Sequence, residues 1–433
     1  MNGENPREIA VRVLSRRGRP GQYVEVLLER ELAAHALSHP DRALCQELVF
    51  GLVRWQRTLD WLVARKTAGR AQNATVRLLL HLGLYQLFWL QRIPDHAAVH
   101  ETVELGKRLG FGPRAGFLNA LLRGFIRERE QTKQSLEALK QTDLALGYSH
   151  PAWLVERWQA RWGVEKTRRL LEWNNTPPPT CARRNGLKTD FPSLAARWKE
   201  EGIEFEERQW DWTGPGLVFE LRSHPPLAGC PSFQDGLFYV QDPGTLLAVE
   251  QLGPQPGETV LDWCAAPGGK TTFIAQLMRN RGRVVAQDNQ PERLELLREN
   301  CRRLGALCVE VSPAPPAPGE FDRILIDAPC SNTGVMRRRV DLRWRLQPSE
   351  IPRLRKAQAA LLAQAAPKLK PGGTLVYSTC SLEPEENEEV VGGFLKEQPG
   401  FQLDSERQLL PFAEGVDGAY VARLRRTMAH LQA

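Results

Sequence analysis

The stretch Thr259-Val-Leu-Asp-Trp-Cys-Ala-Ala-Pro-Gly-Gly-Lys-Thr-Thr272 decides the fold of the C-terminal half of the chain. Residues 259–263 are typical of a short buried strand, 267–269 of a tight turn, and Lys270 of a helix start. This helix is expected to run to about Met278. A strand that enters a helix through a glycine turn begins an α/β domain, and its helix N-terminus can accept polar or anionic ligand groups.

Three nucleotide-binding motifs compete for this turn. A Walker A loop requires its first glycine at position 264, which is Cys264, and residues 265–269 lack the G-x-G-x-x-G spacing of a dinucleotide site. The remaining interpretation is a loop for S-adenosylmethionine (SAM), with Asp262 at the strand end and backbone amides facing the methionine moiety. Asp288, at the end of the next predicted strand, is placed to accept hydrogen bonds from ribose hydroxyls. An α/β turn without a ligand is the open alternative.

Composition limits the class of protein. The 433 residues suggest about three domains of ~150 residues each. A hydrophobic fraction of 42% and a charged fraction of 25% are typical of folded, soluble proteins. Lys and Arg outnumber Asp and Glu by 58 to 51, a modest excess, but the Arg-rich runs are local, which favours a nucleic-acid surface. No signal peptide or apolar span is evident, so we expect a cytoplasmic protein without a membrane segment. The eight cysteines follow no metal-ligand or disulfide spacing, so we expect no metal.

Two domains are expected before the α/β part. Residues 1–132 show helical spacing of apolar residues and predict an all-helical bundle. Residues 133–230 predict a small α+β module, with a Trp-rich helix over 153–162 and a second helix over 191–202. Its aromatic and Arg content would suit stacking on RNA, and packing of each Trp in a small core is the alternative. In the helical domain, the run Arg12, Arg16, Arg17 and Arg19 is either a solvated face or an RNA site.

Residues 231–433 alternate strand and helix, which predicts a Rossmann-like parallel sheet with helices on both faces. The clearest helices are 291–304 and 349–369, and the second is expected to stop at 370–373. A short stiff loop is expected over 312–318. The strands are expected near 259–263, 284–288, 307–311, 322–327, 374–379 and 419–424.

Two cysteines follow strands of this predicted sheet. Cys330 comes after 322–327 and Cys380 after 374–379, where functional residues of α/β sheets lie. A lone cysteine there is usually a small buried hydrophobe. Two beside a SAM loop favour C5 methylation of cytosine, because C5 becomes nucleophilic only after a thiolate adds to C6. Methylation of oxygen or nitrogen has no need for paired thiols.

Other residues could assist that chemistry. A thiolate nucleophile requires a lowered pKa or a nearby cation or base, and Lys270 and the helix after Cys380 could supply that field. Asp327 ends the strand before Cys330 and could bind the N3/N4 edge of the base. The sequence therefore predicts that Cys330, Cys380, Lys270 and Asp327 lie together.

These motifs resemble those of a known family. The stretches 262–271, 327–330 and 378–381 resemble the RNA 5-methylcytosine methyltransferases, and 238–244 and 417–420 look like motifs that flank their catalytic domain. The N-terminal part is similar to a NusB-like RNA-binding domain. The stretches that carry this second resemblance are 47–51, 92–99 and 116–123.

The resemblance implies a role for each site residue. The cysteine after Ser-Thr, Cys380, would be the nucleophile, and Cys330 would assist elimination of the product. DNA cytosine methyltransferases use the Pro-Cys residue instead, so position alone leaves the order open. The family usually has an acid after the third strand, where this chain has Ser312; we therefore expect weaker SAM affinity, with Ser312 or a shifted Glu310 near the adenine. The implied SAM contacts are Cys264, Ala265, Ala266, Pro267, Gly268, Gly269, Lys270, Asp288 and Asp327.

The resemblance also implies a substrate, a specific cytosine of 16S rRNA, either naked or in a partly assembled small subunit. We expect a monomer. The alternatives are a tRNA 5-methylcytosine methyltransferase and a non-catalytic RNA-binding assembly factor that keeps a relic SAM fold. A protein or small-molecule methyltransferase would leave the basic extra domains without a task.

Overall fold

The computed structural model describes residues 5–18, 22–313 and 321–428. The chain forms two compact units. One comprises 1–176 together with 336–345, and the other comprises 177–335 together with 346–433.

The first unit is helical, as the apolar spacing predicts. Its central helix is Ala74–Phe88, which is buried on nearly every side and begins where the Asn73 side chain accepts a hydrogen bond from the Thr75 N–H. Fully buried leucines such as Leu48 and Leu122 fill the space around it. The helices are α1 Pro6–Ser15, α2 Val24–Ala34, α3 His39–Arg54, α4 Gln56–Thr67, α5 Ala74–Phe88, α6 Asp95–Gly106, α7 Ala115–Arg127, α8 Arg129–Thr142, α9 Leu144–Gly147 and α10 Ala152–Asn175.

Helix α10 is longer than the sequence predicts. It has a break at Gly163, whose φ of 78° and ψ of 172° are accessible only to glycine. The predicted helix 153–162 is the part before this break. Beyond it the chain continues as helix to Asn175, with Leu170 and Leu171 fully buried.

Three of the four arginines predicted on a solvated or RNA-binding face form ion pairs within the first unit. Arg19 lies outside the described residues. The described ion pairs join Arg12 and Arg16 to Glu31, and Arg17 to Asp341.

The second unit begins with an antiparallel sheet in the order β2-β3-β1-β4. Its core is aromatic. Trp198 is fully buried with its ring centroid 4.9 Å from Phe205, 5.4 Å from Phe219 and 5.3 Å from Phe238. The rings of this cluster therefore pack in a small core, which is the alternative to stacking on RNA. The elements are β1 Thr180–Arg184, α11 Phe191–Glu200, β2 Glu204–Arg208, β3 Val218–Ser223, α12 Pro231–Gln234 and β4 Phe238–Val240.

A seven-stranded sheet follows, in the order β10-β11-β9-β8-β5-β6-β7. Its strands are β5 Thr259–Trp263, β6 Arg283–Gln287, β7 Val309–Ser312, β8 Phe321–Asp327, β9 Leu369–Thr379, β10 Phe401–Leu409 and β11 Ala419–Arg426. The helices around it are α13 Leu246–Leu252, α14 Gly269–Leu277, α15 Pro291–Leu304, α17 Glu350–Ala365, α18 Glu388–Glu397 and α19 Pro411–Glu414.

The prediction of a parallel sheet is correct for five strands and wrong at one end. β11 pairs antiparallel with β9, and β10 pairs antiparallel with β11. β10 was not predicted, because it is a largely polar edge strand whose sequence lacks an apolar run. The helix predicted over 349–369 ends at Ala365, and β9 begins at Leu369. The expected stop signal at 370–373 therefore lies inside a strand.

One short segment of the chain belongs to the helical unit although it lies between strands of the sheet. This segment, 336–345, contains the one-turn helix α16 Leu342–Arg345. Arg343 is fully buried and donates to Asn175 Oδ1 at 2.9 Å and to the Asn174 carbonyl at 2.9 Å. Trp344 donates its ring N–H to the Val53 carbonyl at 2.7 Å.

The sheet topology places the site. From β5 the chain proceeds to β6 and β7 on one side, then crosses to β8 and β9 on the other. Ligands of such sheets bind beyond the carboxyl ends of the strands at this reversal. Asp262, Asp288, Asp327 and Cys380 all lie at or just after those ends.

Candidate functional site

The loop after β5 requires glycine at two positions. Gly268 has a φ of 105°, and a Cβ there would lie 2.7 Å from Leu297 Cδ1. A Cβ on Gly269 would lie 2.9 Å from Tyr239 Cε1. Helix α14 starts at Gly269, so the turn brings backbone amides to the edge of the sheet.

Asp262 has an unsatisfied oxygen beneath this loop. Its side chain is fully buried, and Oδ2 accepts a hydrogen bond from Thr271 Oγ1 at 2.6 Å. Oδ1 has no partner among the described residues. Burial raises the pKa of Asp262 to about 7. A ligand that carries a hydrogen-bond donor, such as the amino group of SAM, fits this oxygen.

Asp288 braces the loop. It is 3% exposed and accepts hydrogen bonds from the backbone N–H groups of Ala266 and Gln290, each at 3.2 Å. Arg293 lies 3.3 Å from its Oδ2. A carboxylate oxygen can accept more than one hydrogen bond, so the predicted contact with ribose hydroxyls stays a prediction.

Lys270 and Asp327 form an ion pair at the base of the site. Lys270 Nζ lies 2.7 Å from Asp327 Oδ2, and Ser378 Oγ donates to Asp327 Oδ1 at 3.0 Å. Burial alone would lower the pKa of Lys270, but the charge of Asp327 and its hydrogen bond outweigh burial and raise it. Lys270 therefore stays a cation beside the cysteines. The sequence did not indicate that Ser378 would orient this carboxylate.

Glu310 does not face this edge of the sheet. It forms a 2.8 Å ion pair with Arg283, which begins β6 at the opposite end of the strands. Ser312 is the last residue of β7, one position beyond the strand predicted near 307–311. Of the two residues expected near the adenine, Ser312 is thus the one at the correct edge. The loop predicted over 312–318 lies outside the described residues from 314 onward.

The two cysteines predicted to act together are in contact. Their Sγ atoms are 3.3 Å apart. Cys330 is 9% exposed, and its hydrogen bond with Cys380, followed by burial, raises its pKa well above the ordinary value. Cys380 is less buried than Cys330. The more accessible thiol is thus the one that the resemblance assigns as nucleophile.

Asn332 joins the two cysteines and was not predicted. Its Oδ1 accepts a hydrogen bond from Cys380 Sγ at 3.1 Å, while its Nδ2 donates to the Cys330 carbonyl at 2.6 Å. The residue has a φ of 58°, a left-handed conformation that Asn adopts more readily than most residues. An Asn two residues after a Pro-Cys is the only signal in the sequence.

The cysteine loops are packed backbone to backbone. The Gly334 N–H donates to the Cys380 carbonyl at 2.9 Å, and the Gly418 N–H donates to the Gly334 carbonyl at 2.9 Å. A Cβ on Gly334 would lie 2.5 Å from the Gly418 carbonyl oxygen. The Asp417 N–H donates to Asp242 Oδ1 at 3.1 Å, so the two flanking motifs meet here as well.

No helix in the described ranges is long and apolar enough to cross a membrane. Within the same residues, no group of three or more His, Cys, Asp or Glu side chains could hold a metal ion.

The sheet order, the glycine loop at its reversal and the unsatisfied Asp262 oxygen define a SAM-dependent methyltransferase, and two cysteine thiols in contact lie at the same edge of the sheet. Comparison with known proteins gives the family. The chain belongs to the ribosomal RNA small subunit methyltransferase B family. Residues 249–425 match the family described as 16S rRNA methyltransferase RsmB/F, residues 4–127 match the NusB family, and residues 150–214 match the ferredoxin-like domain of RsmF/B-like methyltransferases.

Curated relatives match along nearly the whole chain. "Probable ribosomal RNA small subunit methyltransferase B" of Bacillus subtilis (strain 168) is 35% identical and covers 98% of this chain and 100% of its own length. "Ribosomal RNA small subunit methyltransferase B" of Escherichia coli O127:H6 is 38% identical over 90% of this chain and 91% of its own. The chain is therefore a SAM-dependent RNA methyltransferase with an RNA substrate.

Solved structures share the fold. A methyltransferase homologue from Pyrococcus horikoshii aligns with a TM-score of 0.57 and 32% identity, over 66% of this chain and 98% of its own. Another solved chain aligns over 98% of this chain and 99% of its own with a TM-score of 0.78, and its 23% identity shows the fold alone.

Proposed function

We propose that this enzyme methylates C5 of a specific cytosine in 16S rRNA, of the cytosine-967 type, through a covalent bond between Cys380 and C6. The observation that carries the proposal is the pair of thiols 3.3 Å apart, beside the SAM loop. SAM, when bound, supplies the methyl group.

The two cysteines have different roles in this reaction. The Cys380 thiolate adds to C6, and the electron pair displaced from the C5–C6 bond makes C5 nucleophilic, so that C5 takes up the methyl group. Removal of the C5 proton then restores the C5–C6 double bond and expels Cys380 as a thiolate. Solvent takes up that proton, and we assign to Cys330, which is a thiol because its pKa is raised, a hydrogen bond to the departing Cys380 sulfur 3.3 Å away.

Lys270 and Asp327 support both steps. The Lys270 cation favours a thiolate nearby through its charge. Asp327 is 37% exposed at its side chain, so it can reach the N3/N4 edge of the base while Lys270 and Ser378 hold it. The loop residues 264–270, Asp288 and Ser312 would hold SAM.

The two domains before the catalytic domain would bind the RNA substrate. We assign rRNA docking to residues 1–132 and a supporting role to the module 133–230, with catalysis in 231–433. Each of the three family matches falls within one of these ranges. We further propose a cytoplasmic monomer whose substrate is naked 16S rRNA or a partly assembled small subunit. A tRNA substrate and a binding-only role are the competing proposals.

The test is a denaturing gel of Cys330→Ala and Cys380→Ala, each incubated with SAM and a 16S rRNA fragment. We expect a slowly migrating protein–RNA adduct in Cys330→Ala, because the nucleophile attaches and release is impaired. Cys380→Ala should give none. Wild-type protein should transfer methyl groups to the same fragment.

Other outcomes separate the alternatives. An adduct only in Cys380→Ala would exchange the roles of the two cysteines. No adduct and no methyl transfer with the fragment, with small-subunit particles or with tRNA would leave the binding-only role. Activity on tRNA alone would establish the tRNA substrate.

A further inference from the structure

A buried carboxylate lies behind the two cysteines. Glu386 is fully buried in the short 3₁₀ turn that precedes α18. The structure gives it four hydrogen-bond donors, two on each carboxylate oxygen. Oε1 accepts from the Ser331 N–H and from Gln358 Nε2, each at 2.9 Å. Oε2 accepts from the Ser381 hydroxyl at 2.6 Å and from the Ser331 hydroxyl.

The two serines are the residues next to the two cysteines. Ser331 follows Cys330 in the chain, and Ser381 follows Cys380. Their hydroxyl oxygens lie 3.0 Å from each other, both against Glu386 Oε2. A single side chain therefore binds both cysteine loops, at the residue directly after each thiol.

Glu386 is itself held from two sides. Gln358 donates from the same amide nitrogen to the Pro329 carbonyl at 2.9 Å, which ties α17 to the start of the first cysteine loop. The Tyr377 hydroxyl donates to the Glu386 backbone carbonyl at 2.7 Å. Because Tyr377 and Gln358 are fully buried, the carboxylate has little freedom to move.

We propose that Glu386 is a positioning residue for methyl transfer, one that fixes the distance between the two thiols by binding Ser331 and Ser381 together. The inference rests on the proposed function, since the distance matters only if both thiols act on one base. Among the described residues, the Glu386 carboxylate has hydrogen bonds to Ser331, Ser381 and Gln358 and none to either thiol, so it acts through the two loops.

The chemistry of the site favours a carboxylate there. An ionised carboxylate only accepts hydrogen bonds, and two acceptor oxygens can serve four donors. In Glu386→Gln, the amide nitrogen would replace one oxygen and point a donor at two hydroxyls that now donate. The hydroxyls would have to turn away, and the shared contact between the loops would be lost although the side chain keeps its size.

The first experiment measures the distance between the thiols without RNA. The full-length protein is treated with diamide, which takes two electrons and two protons from Cys330 and Cys380 as their disulfide forms. Mass spectrometry of the digest follows the linked peptides over time. We expect disulfide formation in Glu386→Gln to be about tenfold slower than in wild type, because a displacement of about 1 Å is costly for a reaction between positioned groups.

The matched control is Glu389→Gln, which removes the same charge three residues further on. Glu389 is exposed and forms a surface ion pair with Arg355 at 2.9 Å, so the wild-type rate should persist. Equal disulfide rates in Glu386→Gln and wild type would overturn the proposal. Thermal unfolding by circular dichroism checks that each variant is folded.

The second experiment measures methyl transfer. Glu386→Gln should lower kcat by about 10- to 100-fold and leave KM for SAM within about twofold, because the thiols are misplaced while the SAM loop is untouched. A rise of KM for SAM with unchanged kcat would contradict a positioning role. If Cys330→Ala gives no covalent adduct and wild-type protein no methyl transfer while the disulfide rates still differ, the proposed function fails and the positioning of the thiols stands.

Ser331→Ala covers the case in which Glu386→Gln does not fold. It removes one hydroxyl from the shared contact and keeps the backbone N–H bond to Glu386. A disulfide rate about threefold below wild type is expected, since part of the contact remains. A wild-type rate in a folded Ser331→Ala would count against the proposal.

Discussion

Arg183 donates a hydrogen bond to the backbone carbonyl of Gly269 across 2.7 Å, although one belongs to the four-stranded module and the other begins the SAM-loop helix. A second donor of Arg183 reaches Thr272 Oγ1 at 3.0 Å. The guanidinium is 1% exposed, and burial lowers its pKa to about 9. The small module thus braces the loop that is assigned to SAM.

Replacing Arg183 should weaken SAM binding. In Arg183→Met the volume is roughly kept, but the carbonyl of Gly269 loses its charged donor and the loop loosens. We expect the dissociation constant for SAM to rise about 10- to 100-fold, in line with the ~1.5–3 kcal/mol of a hydrogen bond from a charged group. Isothermal titration calorimetry measures it. Arg222→Gln, on the exposed face of β3, is the control, and equal affinities in the two variants would show that the brace is unimportant.

The buried Asp262 predicts a pH dependence of stability. Its pKa in the folded protein is raised to about 7 from 3.8, so between these values the folded state holds a proton that the unfolded state has lost. Stability without ligand should therefore fall as the pH rises through this window, by an amount on the order of a few kcal/mol. Asp262→Asn should flatten the profile. Urea unfolding at several pH values provides the measurement, and parallel profiles for variant and wild type would contradict it.

Replacing Ser312 with an acid should increase the affinity for SAM. An acid at this strand end would accept a hydrogen bond from the adenine amino group, so Ser312→Asp should bind SAM about three- to tenfold more tightly. Ser312→Ala should change the affinity little if the serine is passive. Titration of each variant with SAM measures these affinities. Glu310→Gln serves as the control, because Glu310 forms an ion pair with Arg283 and does not face this edge of the sheet. Ordinary wild-type affinity that is lost in Ser312→Ala would show that the serine itself binds.

The cysteine loops are tightly packed at Gly334, so a larger residue there should be destabilising. A methyl group there would lie 2.5 Å from the Gly418 carbonyl oxygen and 2.8 Å from the Cys380 carbonyl oxygen, both backbone atoms. Gly334→Ala should cost about 1–3 kcal/mol of unfolding free energy and reduce kcat. Gly392→Ala, where a Cβ meets nothing within 4 Å, should be neutral or stabilising. A stable, active Gly334→Ala would mean that the loops can separate without consequence.

Much of the catalytic domain was predictable because its signals are local. The strand predicted over 259–263 has those bounds, and the carboxyl-end rule placed Asp288, Asp327 and Cys380 correctly from strand positions alone. β10 was missed because a polar edge strand has no apolar period.

The supporting residues were not predictable in the same way. Glu386 lies 55 residues from Ser331, and its role depends on how two loops pack. The sequence holds one hint, since Cys330 and Cys380 are each followed by a serine. The Glu386 turn itself looks like an ordinary acidic helix start. Arg183, likewise, lies in a strand whose sequence does not show which loop it will meet.

The segment 336–345 has a consequence for how the chain is made. Synthesis proceeds from the N-terminus, and domains generally fold as they emerge from the ribosome. The helical unit cannot complete its interior when residue 176 emerges, because Val340 and the buried Arg343 are still to come. When residues 336–345 are translated, β5 to β8 have already been made. The helical unit can therefore be completed only after residues 336–345 have been translated, and a nascent chain stalled before residue 345 holds an unfinished helical bundle.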